Sequence, residues 1–240
     1  MSESPPVLRA TPLILASASP RRRELLTALG VPFQVVVADI DEQVLPRETP
    51  PALTMRLSQT KALTVAGRIA LEAGEQAAAP DWASEPMVLA ADTVVSLDGA
   101  ILNKPADADE AALMLGTLRG RTHQVFTGLA LAVGSSIAWC SVVETAVTMR
   151  PYTDDEMARY IASGLPLDKA GGYGIQDGEF RPVARIDGCY ANVVGLPLCE
   201  VRRVLTAVDP ARAWGPAWSG AAPSCRCAQL DTRWYAQEPG

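Results

Sequence analysis

Ser17-Ala18-Ser19-Pro20-Arg21-Arg22-Arg23 places two hydroxyls ahead of three guanidinium groups. Ser19 is a good helix N-cap and Pro20 suits the first helical position. The arginines therefore stand at a helix N-terminus, where exposed cations oppose the macrodipole at a cost of ~0.3–1 kcal/mol each. A bound anion reverses the sign. Free helix N–H groups, the Ser17 and Ser19 hydroxyls and the forks of Arg21 and Arg22 then converge on phosphate oxygens. Taken alone, the stretch also reads as a solvated basic face on an ordinary capped helix.

Carboxylates form a second group. Asp39-x-Asp41-Glu42 follows a strand-like run, and clustered carboxylates of this kind suit a hard divalent cation, Mg²⁺ or Mn²⁺, as well as a plain polar loop. Asp92 comes after the apolar run Met87 to Ala91, read as a strand ending there. Ligands of α/β proteins gather at strand ends, and a partly desolvated carboxylate there can take a proton from water. Thr93 adds a hydroxyl beside it.

Further basic groups are Lys61, within a long helical pattern, Lys104 in Asn103-Lys104-Pro105, and Arg119 and Arg121. Lys104, held between Leu102 and a rigid proline, is the best directed of them. Gly171-Gly172-Tyr173-Gly174-Ile175-Gln176 lets backbone approach a ligand closely, with a stacking ring at Tyr173 and an amide at Gln176. The pattern is neither a GxxxxGK[ST] phosphate loop nor a GxGxxG motif. His123, the sole histidine, lies in a β-rich run with no GxSxG partner and is read as structural.

These residues need elements to hold them. The patterning predicts a buried strand at Leu13–Ala16, a helix from Pro20 closed by Gly30, and a strand at Val35–Val37. A long helix from Pro50 to about Leu71 and a linker over Ala73–Pro86 follow. Met87–Leu97 reads as strand, turning at Asp98-Gly99 into Ile101-Leu102. Asp107–Leu118 reads as a helix. Thr122–Val133 and Ile137–Met149 form a hairpin, and Thr153 to Glu156 is a capping box. A last strand is expected at Val193-Val194 and a last helix at Pro197–Val208. Residues 1–11 read as a leader and 209–240 as an appended tail.

The chain has 240 residues, 48% apolar and 20% charged, which excludes whole-chain disorder. No apolar run reaches the ~18 residues of a membrane span. The net charge of −6 disfavours nucleic-acid binding, and nothing points to a membrane partner. Five scattered cysteines do not read as a disulfide framework, and the lone Cys225-Arg226-Cys227 lacks further metal ligands. The apolar part of Leu13–Ala18 is too short for a signal peptide, so a cytoplasmic protein is expected.

In order, the chain contains Leu15-Ala16-Ser17-Ala18-Ser19-Pro20-Arg21-Arg22, Asp41-Glu42, Arg56-Leu57 with Lys61-Ala62, and Ala91-Asp92-Thr93-Val94-Val95. Asn103-Lys104-Pro105, Gly120 to Val125, Leu167-Asp168-Lys169-Ala170-Gly171 through Gln176, and Val194-Gly195-Leu196-Pro197 follow. Over residues 12–208 this set resembles the Maf family of nucleoside triphosphate pyrophosphatases, once called septum-formation inhibitors.

The resemblance implies a mixed, twisted sheet flanked by helices, in an elongated two-lobed Maf/ITPase-like α/β fold with a central cleft, often as a homodimer. It also implies a metal-dependent hydrolase that cuts between the α- and β-phosphates of a nucleoside triphosphate. Asp92 becomes the proton acceptor, with Glu42 beside it as a catalytic carboxylate. Both become ligands of Mg²⁺ or Mn²⁺. Arg22, Thr93 and Gln176 become the groups tied to base choice. Ser17, Ser19, Arg21, Lys61 and Lys104 complete the substrate-binding set. The forms of these motifs are those of the branch acting on dTTP and UTP. The alternatives are the 7-methyl-GTP branch and a non-enzymatic regulator of cell division.

Overall fold

The computed structural model describes residues 13–75 and 86–210. The expected leader, the tail from residue 211 with its two cysteines, and most of the Ala73–Pro86 linker lie outside the described residues.

One mixed seven-stranded sheet organises the chain, in the order β2-β1-β3-β5-β6-β7, with β4 also paired to β3. Its strands are β1 (Leu13–Leu15), β2 (Phe33–Val35), β3 (Met87–Leu97), β4 (Ala100–Leu102), β5 (Thr122–Val133), β6 (Ser136–Met149) and β7 (Val183–Asp187). The helices are α1 (Pro20–Ala28), α2 (Pro50–Glu75), α3 (Ala108–Leu118), α4 (Asp154–Ala162), α5 (Tyr190–Val194) and α6 (Leu198–Val208). This is the expected mixed sheet flanked by helices. Among the described residues no helix is long and apolar enough to cross a membrane.

β3 is the axis of the sheet. Its first residues pair in parallel with β1, Leu13↔Met87 to Leu15↔Leu89. Its last residues pair antiparallel with β4, Val95↔Leu102 to Leu97↔Ala100. Its other edge pairs with β5 almost throughout. Helices cover both faces, so β3 reads as nearly continuous apolar sequence rather than an alternation.

Alternate residues of β3 serve different layers. Val88 and Ala90 pack with Ile14, Ala16, Ala130 and Ala132 under Ala62, Val65 and Ala66 of α2. Met87, Leu89 and Ala91 face Leu26 of α1 and Val201, Val204 and Leu205 of α6. On that same face, but toward the other end, Val95, Leu97, Val125 and Val147 pack with Leu115 and Leu118 of α3 and Tyr160 of α4. Two helix sets thus occupy opposite ends of one sheet face.

Local signals explain most boundaries. The Ser19 side chain caps α1 by accepting from the Arg22 amide, and Pro20 opens the helix. Asp98 (φ 52°) and Gly99 (φ 82°) make the left-handed turn that the β3–β4 hairpin requires. The Thr153–Glu156 capping box of α4 is formed in both directions.

Three expectations need correction. The second strand lies at Phe33–Val35, not Val35–Val37, because parallel pairing with β1 ends when β1 ends at Leu15. Ala73 to Glu75 belong to α2 rather than to a linker. Val193 and Val194 are helical, in α5, although β-branched residues favour strands. The last strand is instead β7, where Val183–Asp187 pairs with β6. Burial of Ala191, Asn192 and Val194 against the sheet overrides the local preference.

Candidate active site

A cleft of about 560 Å³ opens between the two helix sets, where β3 changes neighbours. β1 pairs only as far as Leu89 and β4 only from Val95. Among the described residues, no strand covers that edge at 90–94. Asp92 therefore sits in the middle of a continuous strand, opposite Gly128 of β5, and not at a strand end as the sequence suggests. It lines the cleft while staying largely buried, because its neighbouring strand is missing locally, which reproduces the effect of a strand end.

Asp92 projects toward α2. Its Oδ1 lies 2.6 Å from Lys61 Nζ, and both side chains are largely buried. Glu42 Oε1 meets the same ammonium at 2.8 Å. The approach of α2 depends on Gly128, since a Cβ there would lie 2.1 Å from the Thr54 carbonyl oxygen.

Glu42 is carried by a connection without regular structure, which α2 secures through Arg56. Arg56 Nε and Nη2 donate to the two Glu48 oxygens at 2.6 and 2.8 Å, and Nη2 also donates to the Gln43 carbonyl at 2.9 Å. Hydrogen bonding from Arg56 holds the Glu48 carboxyl below its usual range, and Glu48 raises Arg56 in return. Asp41 is used locally, accepting from the Gln43 amide, and Asp39 is exposed.

The opposite face of β3 holds the arginine site. Arg22 Nε donates to the Gly195 carbonyl at 2.8 Å and Nη2 to Thr93 Oγ1 at 3.0 Å, while Nη1 reaches Ser17 Oγ at 3.4 Å. Burial pushes the Arg22 guanidinium below its ordinary value, and Asp92 and Glu42 pull it back upward. Thr93 Oγ1 lies 2.9 Å from Thr127 Oγ1, and Thr127 donates to the Asn192 carbonyl at 3.3 Å. Asn192 Nδ2 is tied to the Val125 carbonyl and Thr145 Oγ1, both at 3.0 Å.

Ser19 caps α1. Ser17 accepts from the Ser19 amide at 3.2 Å. Arg21 leans across the cleft mouth to Asp168 at 2.9 Å. Burial works against the Asp168 charge, but hydrogen bonds from Lys169 and Arg21 outweigh it and hold its carboxyl below the usual range. Lys104 and Gln176 stand exposed in the cleft wall. Ser17, Ser19, Arg21, Arg22, Glu42, Lys61, Asp92, Thr93, Lys104 and Gln176 all line this one cleft, whereas Asp39 and Asp41 do not. Arg23, Arg119 and Arg121 do not line it; Arg119 and Arg121 pair with Asp154 and Asp98.

The sequence reading missed Thr127, Asn192 and Glu48, and it quoted Arg56 and Gly195 within motifs without giving either a role. Gly128 carried a legible signal, because glycine inside a strand marks close backbone approach. Asn192 carried none, since its partners come from β5 and β6.

Among the described residues no group of three or more His, Cys, Asp or Glu side chains is placed to hold a metal ion. Glu42 and Asp92 nevertheless converge on one cation, Lys61 Nζ, with hard oxygen donors. Mg²⁺ commonly takes only one or two carboxylates and fills its remaining positions with water and ligand phosphates. The donor chemistry therefore fits such an ion bound together with a phosphate.

Fold and cleft together define an α/β protein with acidic and basic side chains gathered around an uncovered strand edge. The family model described as Maf-like protein matches residues 12–208, and the chain belongs to that family. It is 47% identical over 196 residues to a protein of Shigella sonnei and one of Escherichia coli O157:H7, both named dTTP/UTP pyrophosphatase. A Shigella flexneri relative at the same identity is named nucleoside triphosphate pyrophosphatase. Each match covers 82% of this chain and 92% of the relative. A solved nucleoside-triphosphatase / dITP/XTP pyrophosphatase of Mycobacterium abscessus is 16% identical with a TM-score of 0.36, covering 83% of this chain and 94% of its own.

Proposed function

We propose that this chain hydrolyses dTTP and UTP to the monophosphate and pyrophosphate. The observation that carries the reading is the Lys61 ammonium held between Asp92 and Glu42, in the same cleft as Arg22 and the N-terminus of α1. The names of relatives at 47% identity support it.

In this reading the triphosphate lies along the cleft with its anionic oxygens toward Arg21, Lys61, Lys104, the hydroxyls of Ser17 and Ser19 and the N-terminus of α1. This cationic lining answers a polyanionic ligand within an acidic protein. Asp92 accepts the proton of a water whose oxygen attacks the α-phosphorus. The new P–O bond forms as the bond from the α-phosphorus to the bridging oxygen breaks, and the electron pair leaves with pyrophosphate. Lys61 keeps Asp92 oriented and lies close to the developing charge.

Glu42 and Asp92 would hold a divalent cation, Mg²⁺ or Mn²⁺, which when bound neutralises phosphate charge and polarises the reacting phosphate. Arg22, Thr93 and Gln176 read the base. Arg22 is suited to this because Gly195, Ser17 and Thr93 fix the plane of its guanidinium.

The test is pyrophosphate release with Mg²⁺ or Mn²⁺ across dTTP, UTP, CTP, GTP, ATP and 7-methyl-GTP, with a chelator control. Preferential, chelator-sensitive cleavage of dTTP and UTP is expected. Preference for 7-methyl-GTP would overturn the base assignment and keep the chemistry. Nucleotide binding with no release from any of them would replace the hydrolase by a binding regulator.

A further inference from the structure

His123 is fully buried on β5, outside the cleft lining, and the chemistry above makes no use of it. Its Nε2 lies 2.8 Å from the Tyr173 hydroxyl, and the two rings meet edge to face at 5.4 Å and 80°. Its Nδ1 is buried with no hydrogen-bond partner among the described residues. Burial pushes the imidazole down to about 4 and the Tyr173 phenol upward, so two neutral groups share this bond at neutral pH. An imidazole with one bare nitrogen is a costly way to fill an apolar position that leucine could occupy. What it provides is a partner for Tyr173.

Tyr173 belongs to the glycine-rich loop. Gly171 (φ 69°) and Gly172 (φ 71°) give that loop a backbone which only glycine adopts easily, and it contains no regular strand or long helix to stiffen it. It is held at separate points instead. The Gly171 amide donates to the Asn103 carbonyl at 3.0 Å, next to Lys104. The Gly174 amide donates to the Tyr160 hydroxyl at 3.0 Å. Between them, Tyr173 turns its ring inward to the sheet at His123. Gln176, three residues further on, is exposed in the cleft wall.

We propose that His123 is a positioning residue, whose bond to Tyr173 fixes the Gly171–Gln176 segment against β5 and so sets the placement of Gln176 in the cleft. In its kinetic consequence this rests on the proposed nucleotide pyrophosphatase reading. In its structural consequence it stands on the buried His123–Tyr173 bond alone. Removing the imidazole leaves the Tyr173 hydroxyl buried and unpaired, so the segment shifts to let that hydroxyl reach water. Removing both polar partners takes away the reason to shift, because an unpaired buried group costs more than an apolar pair of similar shape.

The experiment compares His123→Leu, Tyr173→Phe and the double variant in the full chain. Amide hydrogen exchange of residues 171–176 and of α6 is measured beside steady-state kinetics with dTTP. For His123→Leu, exchange is expected to quicken about tenfold in 171–176 and to stay unchanged in α6. KM is expected to rise about tenfold with kcat within about threefold, and the double variant should recover most of both losses. Unchanged exchange in 171–176, or a double variant no better than His123→Leu, overturns the proposal. If His123→Leu does not fold, Tyr173→Phe breaks the same bond from the loop side and leaves His123 Nε2 unpaired; exchange in 171–176 is expected to quicken with α6 unchanged, and unchanged exchange in 171–176 overturns the proposal. Absence of turnover in the unmodified chain would count against the pyrophosphatase reading only, because the exchange measurement needs no substrate.

Discussion

Gly128 faces Asp92 across the β3–β5 ladder, and the space left by its absent side chain is occupied by the Thr54 carbonyl of α2. That close approach seats the helix carrying Lys61 over the strand carrying Asp92.

Gly128→Ala should therefore injure both stability and site. A Cβ at 2.1 Å from backbone oxygen cannot be relieved by a rotamer change, so α2 must move. A loss of about 1–3 kcal/mol is expected from urea unfolding. Pyrophosphate release should fall further than the folded fraction, as Lys61 is displaced from Asp92. Release that merely tracks the folded fraction would show that the α2 spacing is not critical to the site.

Asp92→Asn keeps the shape of the strand and removes the proton acceptor. Turnover should drop by about 10²–10⁴ while nucleotide still binds. Turnover close to that of the unmodified chain would remove Asp92 from the reaction. Calorimetric titration with dTTP, run beside the assay, separates chemistry from binding.

Arg22→Lys tests the guanidinium fork. A single ammonium cannot reach the Gly195 carbonyl and Thr93 Oγ1 in the geometry that Nε and Nη2 use. The preference for dTTP and UTP over CTP should shrink by about tenfold, with a smaller change in kcat. An undiminished preference would assign base choice elsewhere in the cleft.

Stability should depend on pH in two windows. His123 is pushed from its ordinary 6.5 to about 4 by burial, so between those values the unfolded chain holds a proton the folded chain does not. Its contribution is complete above 6.5 and lost as pH falls toward 4, on the order of 3 kcal/mol in all. Glu156, held at about 2 by the Thr153 amide and then by Arg150, acts lower. Its contribution is present above 4.5 and fades as pH falls toward 2. Urea unfolding from pH 8 to 4 should show a slope that His123→Leu flattens. An equal slope in that variant would assign it to the carboxylates.

Much of this architecture was legible because its causes are local. Ser19-Pro20 starts α1, Asp98-Gly99 turns β3 into β4, and Thr153 with Glu156 opens α4, each through groups within a few residues of one another. The site residues could be named from their types and order for the same reason. Their arrangement depends on contacts that no local pattern specifies. Lys61 meets Asp92 across 31 residues of chain, and Arg22 meets Thr93 across 71 and Gly195 across 173. Val193 and Val194 show the same limit from the other side, since packing against the sheet made a helix of a strand-like pair. Taken by itself, the sequence determined the elements, their caps and the chemical groups available. Tertiary structure decided that β3 would exchange β1 for β4 midway. That exchange uncovers the edge at Asp92 and opens one cleft to both faces of the sheet, because strand neighbours are chosen by long-range pairing and burial rather than by adjacent residues.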